Sequence, residues 1–395
     1  MPTPLPDPDR PDRGGSPYPD LTGWLRPRLL APGPVEVDPR ALLRLAQPQI
    51  HHRSPEARAL ISSVRAKLQR LFAGAEVLLT TSSGTGAFEA ALTSLVPREA
   101  PVLSASAGKF GARWGQMAER LGYRVERLEA PWGQALDPGQ VAAAVSGKAA
   151  LLLTHSETST GVLHDVEAIA AAARATEPDL LILVDAVTSF AVAPLLPLAW
   201  GLDAVIAGSQ KGAAIPPGLG FVALSPAAAE RLLEAQGFSL NLARELRSQR
   251  LGETAYTPAI NLIAALDYSL DRLLSLDLEV LWGERARMSR ALLEAGVALG
   301  CRPFAERPSP AVATLCPPPG WAATEVTRSL QALGARAAAG QDAYKDLTFR
   351  ISLMGYFDRY DALAVAGLLE EALAALGCPF ERGAAVRAAW EALGT

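Results

Sequence analysis

Between about residues 76 and 224 the chain alternates short apolar runs with longer stretches in which apolar positions recur every three or four residues. Parallel strands joined by crossover helices leave this pattern, because each parallel connection must carry the chain back across the sheet. Seven strands are predicted, over residues 76–81, 101–105, 123–128, 149–154, 180–185, 203–208 and 220–224. Amphipathic helices are predicted between them, at 86–95, 110–121 and 166–176. The fold class that follows is α/β, a large, mainly parallel seven-stranded sheet with helices on both faces.

Beyond about residue 259 the pattern changes. Long helical runs over 260–276, 280–299 and 360–376 surround short strand-like pieces, "AVATLC" and "LTFRIS" among them. This predicts a smaller α+β domain over 259–395 beside a large domain over 23–258. Residues 1–22, rich in Pro, Asp and Gly, are expected to be a flexible tail.

Composition narrows the partners. Among 395 residues, 37 basic side chains face 41 acidic ones, a formal charge of -4, which is no electrostatic footprint for nucleic acid or an anionic membrane. Cys301, Cys316 and Cys378 are too few and too irregularly spaced for a disulfide framework or a zinc site, so a reducing compartment is expected. The uncharged stretch 186–202 is interrupted by Pro194 and Pro197, and is not read as a membrane span. The tail lacks an apolar signal core, so a cytoplasmic location is expected.

Ligands of open parallel sheets collect beyond the carboxyl ends of strands, and three features stand there. The first is "SSGTGAFEA", a strand-to-helix junction whose glycines and first-turn amides suit a phosphate, though such a junction can also be only a turn. The second is Asp185, closing an apolar strand, either as a cap or as the partner of a cationic ring nitrogen. The third is Lys211, the only formal charge between residues 204 and 229. Apolar surroundings lower a lysine pKa and free the amine to attack an aldehyde. A snorkelling or salt-bridged lysine is the bland alternative. Together, phosphate cradle, aspartate and desolvated lysine describe pyridoxal 5'-phosphate.

At these residues the chain resembles the class V aminotransferases, the fold-type I pyridoxal phosphate group that includes alanine–glyoxylate and serine–glyoxylate (serine–pyruvate) aminotransferases. The resemblance is carried by "SGTGAFEA", "SAGKFGAR", "HSETSTG", "VDAVTS" and "GSQKGAAIPPG". It implies that Lys211 carries the cofactor as a Schiff base and that Asp185 pairs with the ring nitrogen. It implies further that Gly84, Thr85, Gly86 and Gln210 bind the phosphate, that Phe110 stacks on the ring, and that Thr158 lies beside it. Arg350, in "FRISLMG", would hold the substrate carboxylate. Tyr256 and Thr257, in "ETAYTPAI", would complete the phosphate site of a partner subunit in a homodimer. The implied activity moves an amino group from a small amino acid, alanine or serine, to a small 2-oxo acid, glyoxylate or pyruvate. His52 and Arg53, in "HHRSPEA", match a family signature without a chemical role that their types assign.

Rival functions are a desulfurase or other lyase of the same fold, with Cys316 as nucleophile, a dinucleotide oxidoreductase, and a non-catalytic protein that keeps the cofactor fold. The desulfurase pattern has histidines where Gln210 and Phe110 stand here. The dinucleotide fingerprint lacks its third glycine.

Overall fold

The computed structural model describes residues 26–233 and 237–394. The tail expected over 1–22 lies outside the described residues.

Seven strands form one sheet: β1 (Glu76–Thr80), β2 (Pro101–Ser106), β3 (Arg124–Glu129), β4 (Ala150–Thr154), β5 (Leu181–Asp185), β6 (Ala204–Gly208) and β7 (Gly220–Leu224). Their spatial order is β1, β7, β6, β5, β4, β2, β3. β7 runs antiparallel to both neighbours, and the other pairs are parallel. The exception has a simple cause: the link from β6 to β7 contains no helix, and a parallel return needs a crossover. β1, β4, β5 and β6 therefore end along one edge of the sheet.

β4 to β7 are buried at every position because both faces are covered, which is why they read as unbroken apolar runs. Alternate residues feed two cores. Val77, Leu151, Ile182 and Phe221 face the side packed with Phe72 and Phe190. Leu78, Leu152, Leu183 and Val222 face the side packed with Phe88 and Trp114. The second side belongs to helices α1 (Gly84–Leu95) and α2 (Lys109–Arg120). Ser83 starts α1 by accepting the Gly86 N–H on its hydroxyl at 3.3 Å.

A four-stranded antiparallel sheet, Arg302–Pro303, Val312–Cys316, Phe349–Ser352 and Ala338–Ala339, carries the smaller core with the helices Leu278–Ala298, Ala323–Ala332, Arg359–Ala375 and Ala384–Gly394. Chain order and core do not divide at one point. The helix Ile260–Leu273 sends Ile263, Leu266 and Leu270 into the large domain's core. Conversely, Arg28–Leu29 pairs with Ala335–Arg336, and Leu30 is buried in the smaller core. Among the described residues no helix is long and apolar enough to cross a membrane.

Candidate functional site

Lys211 sits just past β6 in a loop that the chain pins from several sides. The Ser209 hydroxyl donates to the Pro216 carbonyl at 2.8 Å and accepts the Leu219 N–H at 3.2 Å. Ser269, from the helix Ile260–Leu273, donates to the carbonyl of Ala213 at 2.5 Å. Thus held, the Lys211 side chain is only 8% exposed, and its amine donates to the carbonyl of Pro32. Burial pushes the amine down to about 8; Asp185 opposes that fall, while Arg350 and Arg113 add to it.

Asp185, at the end of β5, lines the same pocket. It is 5% exposed and accepts two hydrogen bonds, from the Trp114 indole N–H at 3.0 Å and from the Val187 N–H at 2.8 Å. Burial raises its carboxyl to about 7 against those two bonds. A buried acid of this kind keeps a cationic nitrogen protonated when one is placed against it. Phe110, from the first turn of α2, also lines the pocket, with the Arg113 guanidinium 4.8 Å from its ring centre.

At the other end of the pocket stands the start of α1. Ser83 occupies the N–H of Gly86, whereas the preceding N–H groups, of Gly84 and Thr85, belong to the open end of the helix. Gly84 packs so closely on the turn after β5 that a Cβ there would lie 2.6 Å from Val187 Cγ2. Beside it lies the side chain of Gln210, whose amide oxygen is buried and has no partner among the described residues. An open helix N-terminus, a side-chain amide whose NH2 can donate to a phosphate oxygen, a buried carboxylate and a desolvated amine within one pocket fit pyridoxal phosphate.

Arg350 lies on the four-stranded antiparallel sheet, outside the residues that line the pocket, and reaches the backbone of pocket-lining Thr158. Its guanidinium donates to the carbonyls of Thr158 at 3.0 Å and Ala339 at 2.9 Å, and burial lowers it to about 10. It is 5% exposed and its hydrogen bonds among the described residues go to neutral carbonyls, which leaves its charge available to an anion. Thr158 lines the pocket, and its hydroxyl pairs with that of Thr188 at 2.6 Å.

Seven of the residues named from sequence therefore line one pocket: Gly84, Thr85, Phe110, Thr158, Asp185, Gln210 and Lys211. Gly86 does not, because its N–H serves the Ser83 cap instead. Tyr256 and Thr257 line a separate pocket with Ser239 and Thr254, where the Tyr256 hydroxyl donates to the Phe238 carbonyl at 3.0 Å. Arg53 is bound at the surface by Glu253. Cys316 ends a strand instead of riding on a loop; burial raises its thiol pKa, and it does not line the Lys211 pocket. Arg113 and Trp114, which also line the pocket, were missed from sequence. Both occur in or beside the "SAGKFGAR" motif, and helical spacing from Phe110 was the signal that could have found them.

The family model for aminotransferase class-V matches residues 43–357. A protein of Synechococcus named soluble hydrogenase, small subunit, is 37% identical over 378 residues, covering 93% of this chain and 98% of that one. An L-aspartate–glyoxylate aminotransferase of Paracoccus denitrificans is 31% identical over 383 residues, covering 92% and 95%. The crystal structure of a subgroup IV aspartate aminotransferase from Thermus thermophilus aligns with a TM-score of 0.84 at 45% identity, covering 88% of this chain and 99% of that one.

Proposed function

The chain belongs to the class-V aminotransferases, pyridoxal phosphate enzymes acting on amino acids and oxo acids, and from that premise we propose that it moves the amino group of alanine or serine to glyoxylate or pyruvate. One observation carries the assignment of its centre: the buried Lys211 amine shares a single pocket with Asp185. When bound, pyridoxal phosphate supplies an aldehyde for the amine and a ring that accepts the electron pair left at the substrate α-carbon.

The side chains then divide the work. Lys211, desolvated and with its amine lowered to about 8, is the base that takes the proton from the substrate α-carbon and holds it for return on the far side of the transferred nitrogen. Asp185 holds the proton on the ring nitrogen. With the cofactor bound, Gly84, Thr85 and Gln210 would hold the phosphate, and Phe110 and Thr158, which line the same pocket, would contact the ring. Arg350 receives the substrate carboxylate, and its rigid hold by two carbonyls orients the α-carbon toward Lys211. A first half-reaction releases an oxo acid and a second, with the acceptor, restores the enzyme.

The active form is a homodimer in which Tyr256 and Thr257 complete the partner's phosphate site. Their place outside their own chain's Lys211 pocket supports this, as does Phe238, 75% exposed with its ring centre 5.6 Å from that of Tyr256. Three free cysteines fit a cytoplasmic setting.

The test is an absorbance titration of the loaded enzyme with alanine, serine and aspartate separately, each followed by glyoxylate. The visible band of the cofactor is expected to fade with alanine or serine and to return with glyoxylate. A response to aspartate alone, the donor in the names of two relatives, would overturn the donor assignment. A Lys211→Ala protein that still turns over would overturn the role of the lysine.

A further inference from the structure

Helix α2 carries no side-chain cap of its own, since Gly108 stands at its N-cap. Its open end is served from another part of the chain. Glu157 lies in the short hairpin of Ser156–Glu157 and Val162–Leu163 and has no exposed surface. Its carboxylate accepts the Gly111 N–H at 2.8 Å and the Phe110 N–H at 3.4 Å. Ser159 extends the bridge. Its N–H and hydroxyl donate to Glu157 Oε1 at 2.9 Å and 2.6 Å, and its hydroxyl oxygen accepts the Lys109 N–H at 3.0 Å. A carboxylate at the positive end of a helix gains from charge and hydrogen bonding together. The fit is close, because a Cβ on Gly108 would lie 2.6 Å from Glu157 Cγ.

Each side of this bridge holds part of the pocket. On α2, Phe110, Arg113 and Trp114 line it, and Trp114 binds Asp185. On the hairpin, the residue after Glu157 gives its carbonyl to Arg350 and its hydroxyl to Thr188. A single buried carboxylate therefore fastens the ring-facing residues to the loop that holds the substrate-facing arginine. We infer that Glu157 is a positioning residue for the transamination, setting the first turn of α2 and the Thr158 loop in register so that Asp185 and Arg350 both address Lys211. This rests on the assignment of the Lys211 pocket to pyridoxal phosphate.

The experiment compares wild type with Glu157→Gln, Glu157→Ala and Ser159→Ala. Amide exchange of the 107–114 segment is followed by mass spectrometry in cofactor-free protein, with segment 260–273 as internal reference. In Glu157→Ala the exchange at 109–111 is expected to rise by about tenfold or more, as for loss of a helix cap, with the reference segment unchanged. Pyridoxal phosphate affinity is expected to fall by about tenfold in parallel, with kcat down and the donor KM up. Glu157→Gln, which keeps one acceptor oxygen, is expected to recover part of each loss, and Ser159→Ala to show a smaller loss.

Wild-type exchange and cofactor affinity in Glu157→Gln and Ser159→Ala would overturn the inference. Should neither Glu157 variant fold, Ser159→Ala decides alone: locally raised exchange upholds the bridge and unchanged exchange refutes it. A wild-type protein that binds no pyridoxal phosphate would refute the cofactor assignment instead. The exchange comparison does not depend on that outcome.

Discussion

Trp114 donates its indole N–H to Oδ2 of Asp185 at 3.0 Å while its ring stacks on Phe88, centres 4.0 Å apart and planes 11° from parallel. The indole thus does two separable things, filling the space between α1 and α2 and solvating a buried carboxylate. Trp114→Phe keeps most of the stack and removes only the donor. A buried charged acceptor that loses a donor costs roughly 1 to 3 kcal/mol. Asp185 is then expected to rise further, since a hydrogen bond that favoured the ionised form is gone. Cofactor retention, measured by dialysis against pyridoxal phosphate, is expected to weaken by about tenfold or more. Unchanged retention would reduce the indole to a space-filler.

The lowered pKa of Lys211 has a kinetic signature. Burial is the main cause, with Arg350 and Arg113 adding to it and Asp185 opposing. Capture of pyridoxal phosphate by cofactor-free protein needs the neutral amine. Its rate, followed by stopped flow, is therefore expected to climb with pH and level off at about 8 instead of at the ordinary lysine value of 10.5. Arg350→Leu removes a neighbouring cation and is expected to move the inflection upward. A wild-type rate still climbing beyond about pH 9.5 would mean the amine is hydrated after all.

Much of this arrangement was legible in the chain because strands covered on both faces read as continuous apolar runs, and a charge within or just after such a run stands out. Asp185 and Lys211 were found that way, each at a strand end on the same edge of the sheet. The direction of β7 was not marked by composition, since it follows from the missing helix between β6 and β7. Trp114 reads as one more apolar residue on a helix face. Its partner lies 71 residues away, and only the order β5, β4, β2 in the sheet brings the two together. Glu157 was quoted within a motif, but a cap for a helix that begins 48 residues earlier leaves no local trace.

Gly33 has a φ of +132° and faces the end of the Lys211 side chain, where a Cβ would collide with the amine. Two costs meet in Gly33→Ala. The backbone conformation is one that residues with a Cβ rarely adopt, a strain of about 1 to 3 kcal/mol, and the lysine must leave its place beside the Pro32 carbonyl. The variant is expected to fold, with a lowered melting temperature and cofactor capture slowed by about tenfold or more. Capture at the wild-type rate would show that the amine does not need this position.

Two buried imidazoles and one buried carboxyl set opposite pH slopes on the stability of the cofactor-free protein. Burial lowers His155 to about 3 and His164 to about 4, with the charge of His164 adding to the effect on His155 and that of Arg307 to the effect on both. Both lie below the ordinary 6.5, so between 6.5 and about 4 the unfolded chain binds more protons and stability falls as the pH drops. Asp185, raised from 3.8 to about 7, acts the other way: the folded state takes the proton first, and stability rises as pH falls through that window. At about pH 5 each imidazole is expected to cost roughly 2 kcal/mol and Asp185 to return a similar amount. His164→Asn retains an acceptor for the Leu136 N–H, which now donates to Nδ1 at 3.1 Å, and removes one proton-binding group. Thermal unfolding between about pH 5 and 7 is thus expected to show a shallower acid decline in His164→Asn and a steeper one in Asp185→Asn. Parallel curves for the three proteins would mean that these groups titrate alike in the folded and unfolded chain, and that their burial is not what sets their protonation.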